Sequence, residues 1–143
     1  MAFSKAEIKD LNEIERLLQE SDLPYEDCQK HLSNFIVCRE DNKIIAVGGT
    51  EIYGRVALIR SIVVQQEYRG KDLAKAIFLH LQASAQQQGV SSLYLLTNSA
   101  EDYFKVLGFS PVIRSEVPLT IQNTDQFSSL CPDTATVMAL NLS

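Results

Sequence analysis

The chain has 143 residues, 45% of them hydrophobic, and a formal net charge of −5. That is enough apolar material for one domain with a real core and too much for a disordered segment. The negative charge argues against nucleic acid as a main partner, because a binder of phosphate backbones needs a basic surface. No apolar run reaches the roughly 20 residues that span a bilayer, so no membrane association is expected.

The opening stretch MAFSKAEIKD lacks the apolar core of a signal peptide. Cys28, Cys38 and Cys131 are widely spaced and form neither a CxxC pair nor a metal-ligand pattern with histidine. These features predict a cytoplasmic protein with buried thiols and no metal. No repeat or linker interrupts the sequence, so residues 1–143 are read as a single domain.

Asp10, Leu11, Asn12 and Glu13 form a candidate capping box, and Leu11, Ile14, Leu17 and Leu18 then repeat at helical spacing. Pro24 disfavours helix in the residue before it, so this helix is predicted to stop near Ser21. A short helix is predicted around Tyr25–His31, then a strand over NFIVCRE, a turn at Asp41-Asn42 and a second strand over KIIAVGGTEIY. Gly48-Gly49 in that strand predict a bulge or a close backbone approach. After a turn at Gly54-Arg55, VALIRSIVV is almost wholly apolar and therefore central.

From Leu73 onward, Leu73, Ala74, Ile77, Phe78, Leu81 and Ala85 make one helical stripe, and Gly89 suits the C-terminal stop. SSLYLLT follows as a strand, completing a strand–helix–strand unit whose two strands are parallel. Asn98 to Glu101 cap a short helix that ends at Gly108. FSPVIRS reads as a strand and PLTIQNTDQFSSL as a helix started by Pro118 and ended by Cys131-Pro132. TATVMALNL closes the chain as a strand. The predicted class is α+β: a mixed, mostly antiparallel sheet with one parallel crossover, flanked by helices.

Two features carry chemistry. Arg69-Gly70-Lys71-Asp72-Leu73-Ala74 joins the central strand to a helix, and the first turn of a helix has unpaired N–H donors that suit a phosphate. Lys71 adds a cation. Asp72 is unexpected there, but Asp tolerates left-handed geometry, so the loop shape survives with the carboxylate turned to solvent. Arg60 is the second feature. A guanidinium inside VALIRSIVV must snorkel, pair with a carboxylate such as Glu51, or face a cleft, where its fork suits a substrate carboxylate.

The Arg69–Ala74 loop, followed about thirty residues later by AEDYFKVLGF, resembles the two signatures of the GNAT superfamily of acyl-CoA-dependent N-acyltransferases. The resemblance covers nearly the whole chain. It implies a sheet that splays between IRSIVV and SLYLLT, with acetyl-CoA in the gap as co-substrate and no metal. Arg69, Gly70, Lys71, Asp72, Leu73 and Ala74 would hold its pyrophosphate, and backbone groups of Ile62, Val63 and Val64 its pantetheine. The backbone near Ile62 would also polarise the thioester carbonyl. Where many members carry a Tyr that protonates the leaving thiolate, this chain has Phe104. Tyr103 precedes it and points about 100° away, so it is read as a wall of the core or of the cofactor site.

Glu51 is the candidate general base, acting through water; the other reading is a solvated charge at a strand end. His31 and His80 are weaker candidates. Arg60 and Thr97 are the candidate substrate contacts. LYLLT…GF is also similar to the acetyltransferase domain of N-acetylglutamate synthases, and LIRSIVV, LYLLT and FSSLCP to a small GNAT subfamily of bacterial arsenic-resistance operons. These likenesses imply a small amino-acid-like amine as acceptor, an arsenic-bearing amino acid among them. Cys131 then reads as a buried small residue or a metalloid contact. A homodimer is left open, as are a non-catalytic acyl-CoA sensor and a peptide or protein N-acetyltransferase on the same fold.

Overall fold

The computed structural model describes residues 1–127 and 135–142. Seven strands form one sheet: β1 (Ala2–Lys5), β2 (Phe35–Glu40), β3 (Lys43–Tyr53), β4 (Val56–Val64), β5 (Ser92–Thr97), β6 (Ser110–Pro111) and β7 (Thr136–Asn141). Their order across the sheet is β1-β2-β3-β4-β5-β7-β6. Only β4 and β5 run parallel; every other neighbouring pair is antiparallel. The helices are α1 (Leu11–Glu20), α2 (Leu73–Gln87), α3 (Glu101–Val106) and α4 (Leu119–Gln122). The architecture is the predicted α+β mixed sheet with a single crossover.

Helix α2 buries Leu73, Ile77, Phe78, Leu81 and Ala85 against one face of the sheet, where Ile36, Ile45, Ile59 and Leu93 meet them. On the other face, α1 presents Ile14, Leu17 and Leu18 to Phe35, Val37, Val47 and Val63. Farther along that face Ile121 of α4 packs with Leu58 and Val137. The predicted turns hold. Asp41 and Asn42 have φ of 53° and 64°, the paired left-handed residues of a tight hairpin. Gly89, at φ 91°, follows the last turn of α2.

Four expectations change. Strand β1 falls in a stretch with no strand signal; three of its four residues are exposed, and it forms because the outer edge of β2 offers it a ladder. The capping box lies one turn earlier than predicted: Glu7 and Asp10 cap each other, with the Glu7 N–H donating to Asp10 Oδ2 at 2.8 Å. Glu13 Oε2 instead accepts the Ile44 N–H at 3.0 Å. The FSPVIRS strand shrinks to Ser110–Pro111, because Pro111 cannot donate to a ladder and a 3₁₀ turn follows at Arg114–Glu116.

The helix predicted from Pro118 is regular over Leu119–Gln122, breaks at Asn123-Thr124 and turns helical again at Asp125–Phe127. Its ladder is broken by Thr124, whose Oγ1 donates to the Ile121 carbonyl and accepts the Phe127 N–H. The expected end of that segment, Cys131-Pro132, lies outside the described residues.

Gly48 and Gly49 fulfil both readings made of them. The β3–β4 register shifts between Val47 and Gly49, and a Cβ on Gly49 would stand 2.3 Å from the ring of fully buried Phe35. A Cβ on Gly48 would stand 2.5 Å from Ile77 of α2. Gly49→Ala is therefore expected to overpack this face and cost about 1–3 kcal/mol. Urea denaturation should show a lower midpoint with an unchanged slope; an unchanged midpoint would mean that Phe35 has room to move.

Candidate functional site

Strands β4 and β5 pair only through Val56↔Ser92, Ala57↔Leu93 and Leu58↔Tyr94. Beyond Leu58 they part. The reason lies in β4: Arg60 pairs with Gly49 and Val63 with Val47, so Ser61 and Ile62 together stand opposite the single residue Gly48. This is a bulge, and Ser61 takes φ 62° to make it. Past the bulge, the Gln65 N–H donates to the Ile45 carbonyl. Successive residues of a strand aim their backbone groups to opposite sides, so Val63 also faces β3 while Ile62 and Val64 face the gap. The backbone donors and acceptors expected at Ile62 and Val64 thus open toward the splay, whereas Val63 is buried against α1.

At the mouth of the gap is the loop that leads into α2. Gly70 has φ 81° and Asp72 φ 60°, ψ 25°. Asp72 caps α2 by its backbone position alone, since its side chain makes no cap hydrogen bond. The Arg69 N–H is spent on the Gln66 carbonyl at 3.3 Å, so the cradle's open donors begin at Gly70. The Arg69 side chain folds back, its Nε–H donating to the Val64 carbonyl at 3.1 Å. Lys71 Nζ lies over the Tyr68 ring, 5.5 Å from its centroid. A cleft of about 480 Å³ runs from Gly70 and Asp72 past Leu73 and Ala74 to Ile62, Val64 and Tyr103. This donor set and groove fit a pyrophosphate with an extended chain attached.

A second cavity of about 560 Å³ opens behind the first and shares Ser21, Leu23, Ile62, Ala74 and Tyr103 with it. Thr97, Asn98 and Ser99 form its far wall. Thr97 Oγ1 accepts the Ala100 N–H at 3.0 Å, which orders the turn into α3. Tyr103 is 41% exposed and lines both spaces. Phe104 also reaches the second cavity but packs into the core against Phe109. Burial, and then the Asp72 carboxylate, push the Tyr103 phenol above its ordinary value, so it keeps its proton at neutral pH.

Arg60 is 4% exposed and Glu51 1%. The guanidinium holds Asp27 with a two-pronged contact, Nη1–Oδ2 and Nη2–Oδ1 both at 2.7 Å. Nη1 also donates to Glu51 Oε2 at 2.8 Å, Nη2 to the Pro24 carbonyl at 3.4 Å and Nε to Ser61 Oγ at 2.9 Å. All five N–H bonds have protein acceptors, which leaves none for a substrate carboxylate. Glu51 is likewise engaged: Oε1 accepts the Tyr53 hydroxyl at 2.6 Å and lies 3.4 Å from His31 Nε2. It is a buried group and not a solvated strand-end charge.

Asp27, His31 and Glu51 bring ligand-type atoms within 4.8 Å of one another, but Arg60 already supplies the positive charge between the two carboxylates. His80 is exposed and stacks on Phe3 at 4.7 Å, far along the α2 face.

Two parts of the site carried no signal in the sequence. Asp27 lies in an irregular stretch 33 residues before its partner Arg60, and nothing in its neighbours marks it. Ser21 and Leu23, which wall both spaces, were legible only as the end of a helix.

Residues 5–109 match the family model described as acetyltransferase (GNAT) family. The amino-acid acetyltransferase of Escherichia coli K12 is 25% identical over 89 residues, which is 61% of this chain and 20% of that protein. The chain thus spans about a fifth of the length of such relatives. An uncharacterized N-acetyltransferase of Chlorobaculum tepidum is 25% identical over 93 residues, 64% of this chain and 59% of that protein. In fold, the chain is similar to N-acetylglutamate synthase from Neisseria gonorrhoeae complexed with coenzyme A and N-acetyl-glutamate. The TM-score is 0.86 at 17% identity, over 99% of this chain and 35% of that one. The ribosomal-protein-S18-alanine N-acetyltransferase of Escherichia coli gives 0.71 at 20% identity, over 99% and 94%.

The Arg60 network makes stability depend on pH. Burial, the largest influence on Asp27, would raise its pKa; the hydrogen bond and charge of Arg60 outweigh it, and the net shift is downward. A carboxyl whose folded pKa lies below its unfolded value, about 3.9, stabilises the fold above that value and loses the contribution as pH falls. Asp27→Asn should cost about 3 kcal/mol at pH 7, as for breaking a buried pair. Urea titrations from pH 7 to pH 3 should show the two proteins converging in acid. Parallel curves would contradict the shift.

Proposed function

The chain belongs to the acetyltransferase (GNAT) family, and from that premise we propose that it moves the acetyl group of acetyl-CoA directly to the amine of a small, amino-acid-like acceptor. One observation carries this reading: the β4–β5 ladder stops at Leu58, and the resulting gap joins a phosphate-type cradle to a second cavity. The names of the amino-acid acetyltransferase relatives support the acceptor class.

Bound in the gap, acetyl-CoA supplies an activated thioester carbonyl. The open N–H groups from Gly70 onward hold the pyrophosphate at the positive end of α2. Backbone groups of Ile62 and Val64 order the pantetheine, with Val63 fixing the strand behind them. The Ile62 N–H polarises the carbonyl, as an oxyanion donor does. Tyr103 lies between the two spaces and gives the leaving thiolate its proton, and the proton that the attacking amine sheds on becoming an amide restores the phenol. Its place one residue before Phe104 does not turn it into the core; Phe104 takes that role.

Arg60 and Glu51 hold each other and Asp27 in this reading, in place of the carboxylate anchor and general base expected of them. The acceptor is oriented by the neutral polar wall around Thr97. The amine enters as its free base, so kcat/KM should rise with pH at unit slope up to the acceptor's own pKa.

The test is free-thiol release from acetyl-CoA with a panel of amines: amino acids, an arsenic-bearing amino acid and a peptide with a free N-terminus. Turnover is expected with a small amino-acid-like amine. Binding without thiol release across the panel would mark a sensor, and turnover confined to the peptide a protein N-acetyltransferase. Tyr103→Phe should lower kcat by about 100-fold with little change in KM; unchanged turnover would remove Tyr103 from the proton path.

Asp72→Gly should tighten acetyl-CoA binding by roughly 0.5–1 kcal/mol, the size of a surface charge effect at a helix terminus. The gain should fade as salt rises. Calorimetric titration reads both, and weaker binding would give the carboxylate a positive role in the loop.

A further inference from the structure

Ser61 is the one residue of β4 that no ordinary strand would accept. It has φ 62° in the middle of a nine-residue strand, and it is neither Gly nor Asn. A non-glycine residue persists in that region only where the surroundings hold it there. The ladder on neither side does so, since Ser61 and Ile62 have no register partner on β3, and β5 pairs with β4 only through Leu58. What does hold it is a single side-chain contact: Arg60 Nε–H donates to Ser61 Oγ at 2.9 Å.

That donor is itself immobile. The Arg60 guanidinium is pinned by the two-pronged Asp27 contact, by Glu51 and by the Pro24 carbonyl, and it lies 5.7 Å from the Phe35 ring centroid. Glu51 is held in turn by the Tyr53 hydroxyl. So a chain of buried contacts runs from the segment around Asp27, through Arg60, to the hydroxyl of the bulged residue.

We propose that the Asp27–Arg60–Glu51 network is a clamp that fixes the Ser61–Ile62 peptide through Ser61 Oγ, making Ser61 and Arg60 positioning residues for the Ile62 N–H. The direction of that N–H is set by the ψ of Ser61 and the φ of Ile62, so holding Ser61 in its left-handed well aims the donor into the gap. An oxyanion donor is useful only when it is preorganised, because reorienting it during the reaction costs what the contact would return. The clamp also explains why a guanidinium occupies the central strand of an otherwise apolar sheet face. The proposal rests on reading Ile62 as the carbonyl's donor.

Ser61→Gly tests it gently. Glycine adopts the same φ without strain but equally populates others, and it removes the Oγ acceptor. The variant should lose some thermal stability, because Arg60 Nε is left without its acceptor. Where it is fully folded it should keep its calorimetric affinity for CoA, while kcat falls at least tenfold at unchanged KM for acetyl-CoA. Independently of turnover, the ¹⁵N order parameter of the Ile62 amide should drop from the rigid value of about 0.85 toward the flexible range below about 0.6. The amides of Leu58 and Ile59 should stay rigid.

If the Ile62 amide loosens but kcat is that of the wild type, the clamp is real as structure and the assigned role in positioning is overturned. If the Ile62 amide stays rigid, the clamp itself is overturned. Absence of thiol release from the wild-type protein with every amine would strike the proposed function, and the order parameter would still decide the clamp. Ser61→Ala keeps the Cβ and removes only the hydroxyl: it should lose stability as well as kcat, because Arg60 Nε loses its acceptor and nothing then holds a φ that is as strained for alanine as for serine.

Discussion

A guanidinium in the middle of a central strand has to be neutralised before the sheet can close over it. Arg60 meets that condition with every N–H it has: two bonds to Asp27, one each to Glu51, Ser61 and Pro24. Leaving any of these buried groups unpaired would cost several kcal/mol. The requirement reaches in three directions. It draws the segment after α1 onto the sheet through Asp27 and Pro24. It fixes the end of β3 through Glu51 and Tyr53. It ties down the bulge in β4 through Ser61, at the point where β4 leaves β5.

The bulge and the splay are two consequences of one local count. Two residues of β4, Ser61 and Ile62, face one residue of β3, Gly48. The extra residue turns the strand and sends the backbone groups of Ile62 and Val64 into open space. Gly48 is needed for a second reason, since α2 packs so close that its Cβ would collide with Ile77. Helix α2 can therefore approach the sheet closely, and its N-terminal turn arrives beside the gap that the bulge created. The cradle and the gap form one cleft because the same glycine, Gly48, serves both.

Much of this was legible in the sequence, and the reasons are physical. The parallel crossover, the α2 stripe and the Gly48-Gly49 irregularity follow from periodicity and from the absence of a Cβ. The left-handed tolerance of Asp72 was readable from its residue type, and the loop keeps its shape as expected. What sequence reasoning missed depends on distance in the chain. The partner of Arg60 that binds it in two prongs, Asp27, is fixed by tertiary packing alone. Strand β1 exists because β2 has an open edge. Of the readings open for Arg60, pairing with a carboxylate such as Glu51 is the one the fold realises: a single guanidinium has five donors, and all five have protein acceptors. Tyr103, read as a wall of the core or of the cofactor site, lines both spaces of the cleft, while Phe104 packs into the core; the six-residue pattern alone does not say which face α3 turns to the cleft.

The central claim is that the gap beyond Leu58 and the turn beginning at Gly70 form one continuous site. It is tested most directly by titrating coenzyme A into ¹⁵N-labelled protein and following backbone amide shifts. The account predicts that the amides of Gly70 to Lys75, together with Ile62 and Val64, move with a single shared dissociation constant, while those of the groove around Tyr94, Pro111 and Val117 on the far edge of the sheet stay still. Movement of the Gly70–Lys75 amides without Ile62 and Val64, or shifts centred on the far groove, would contradict it.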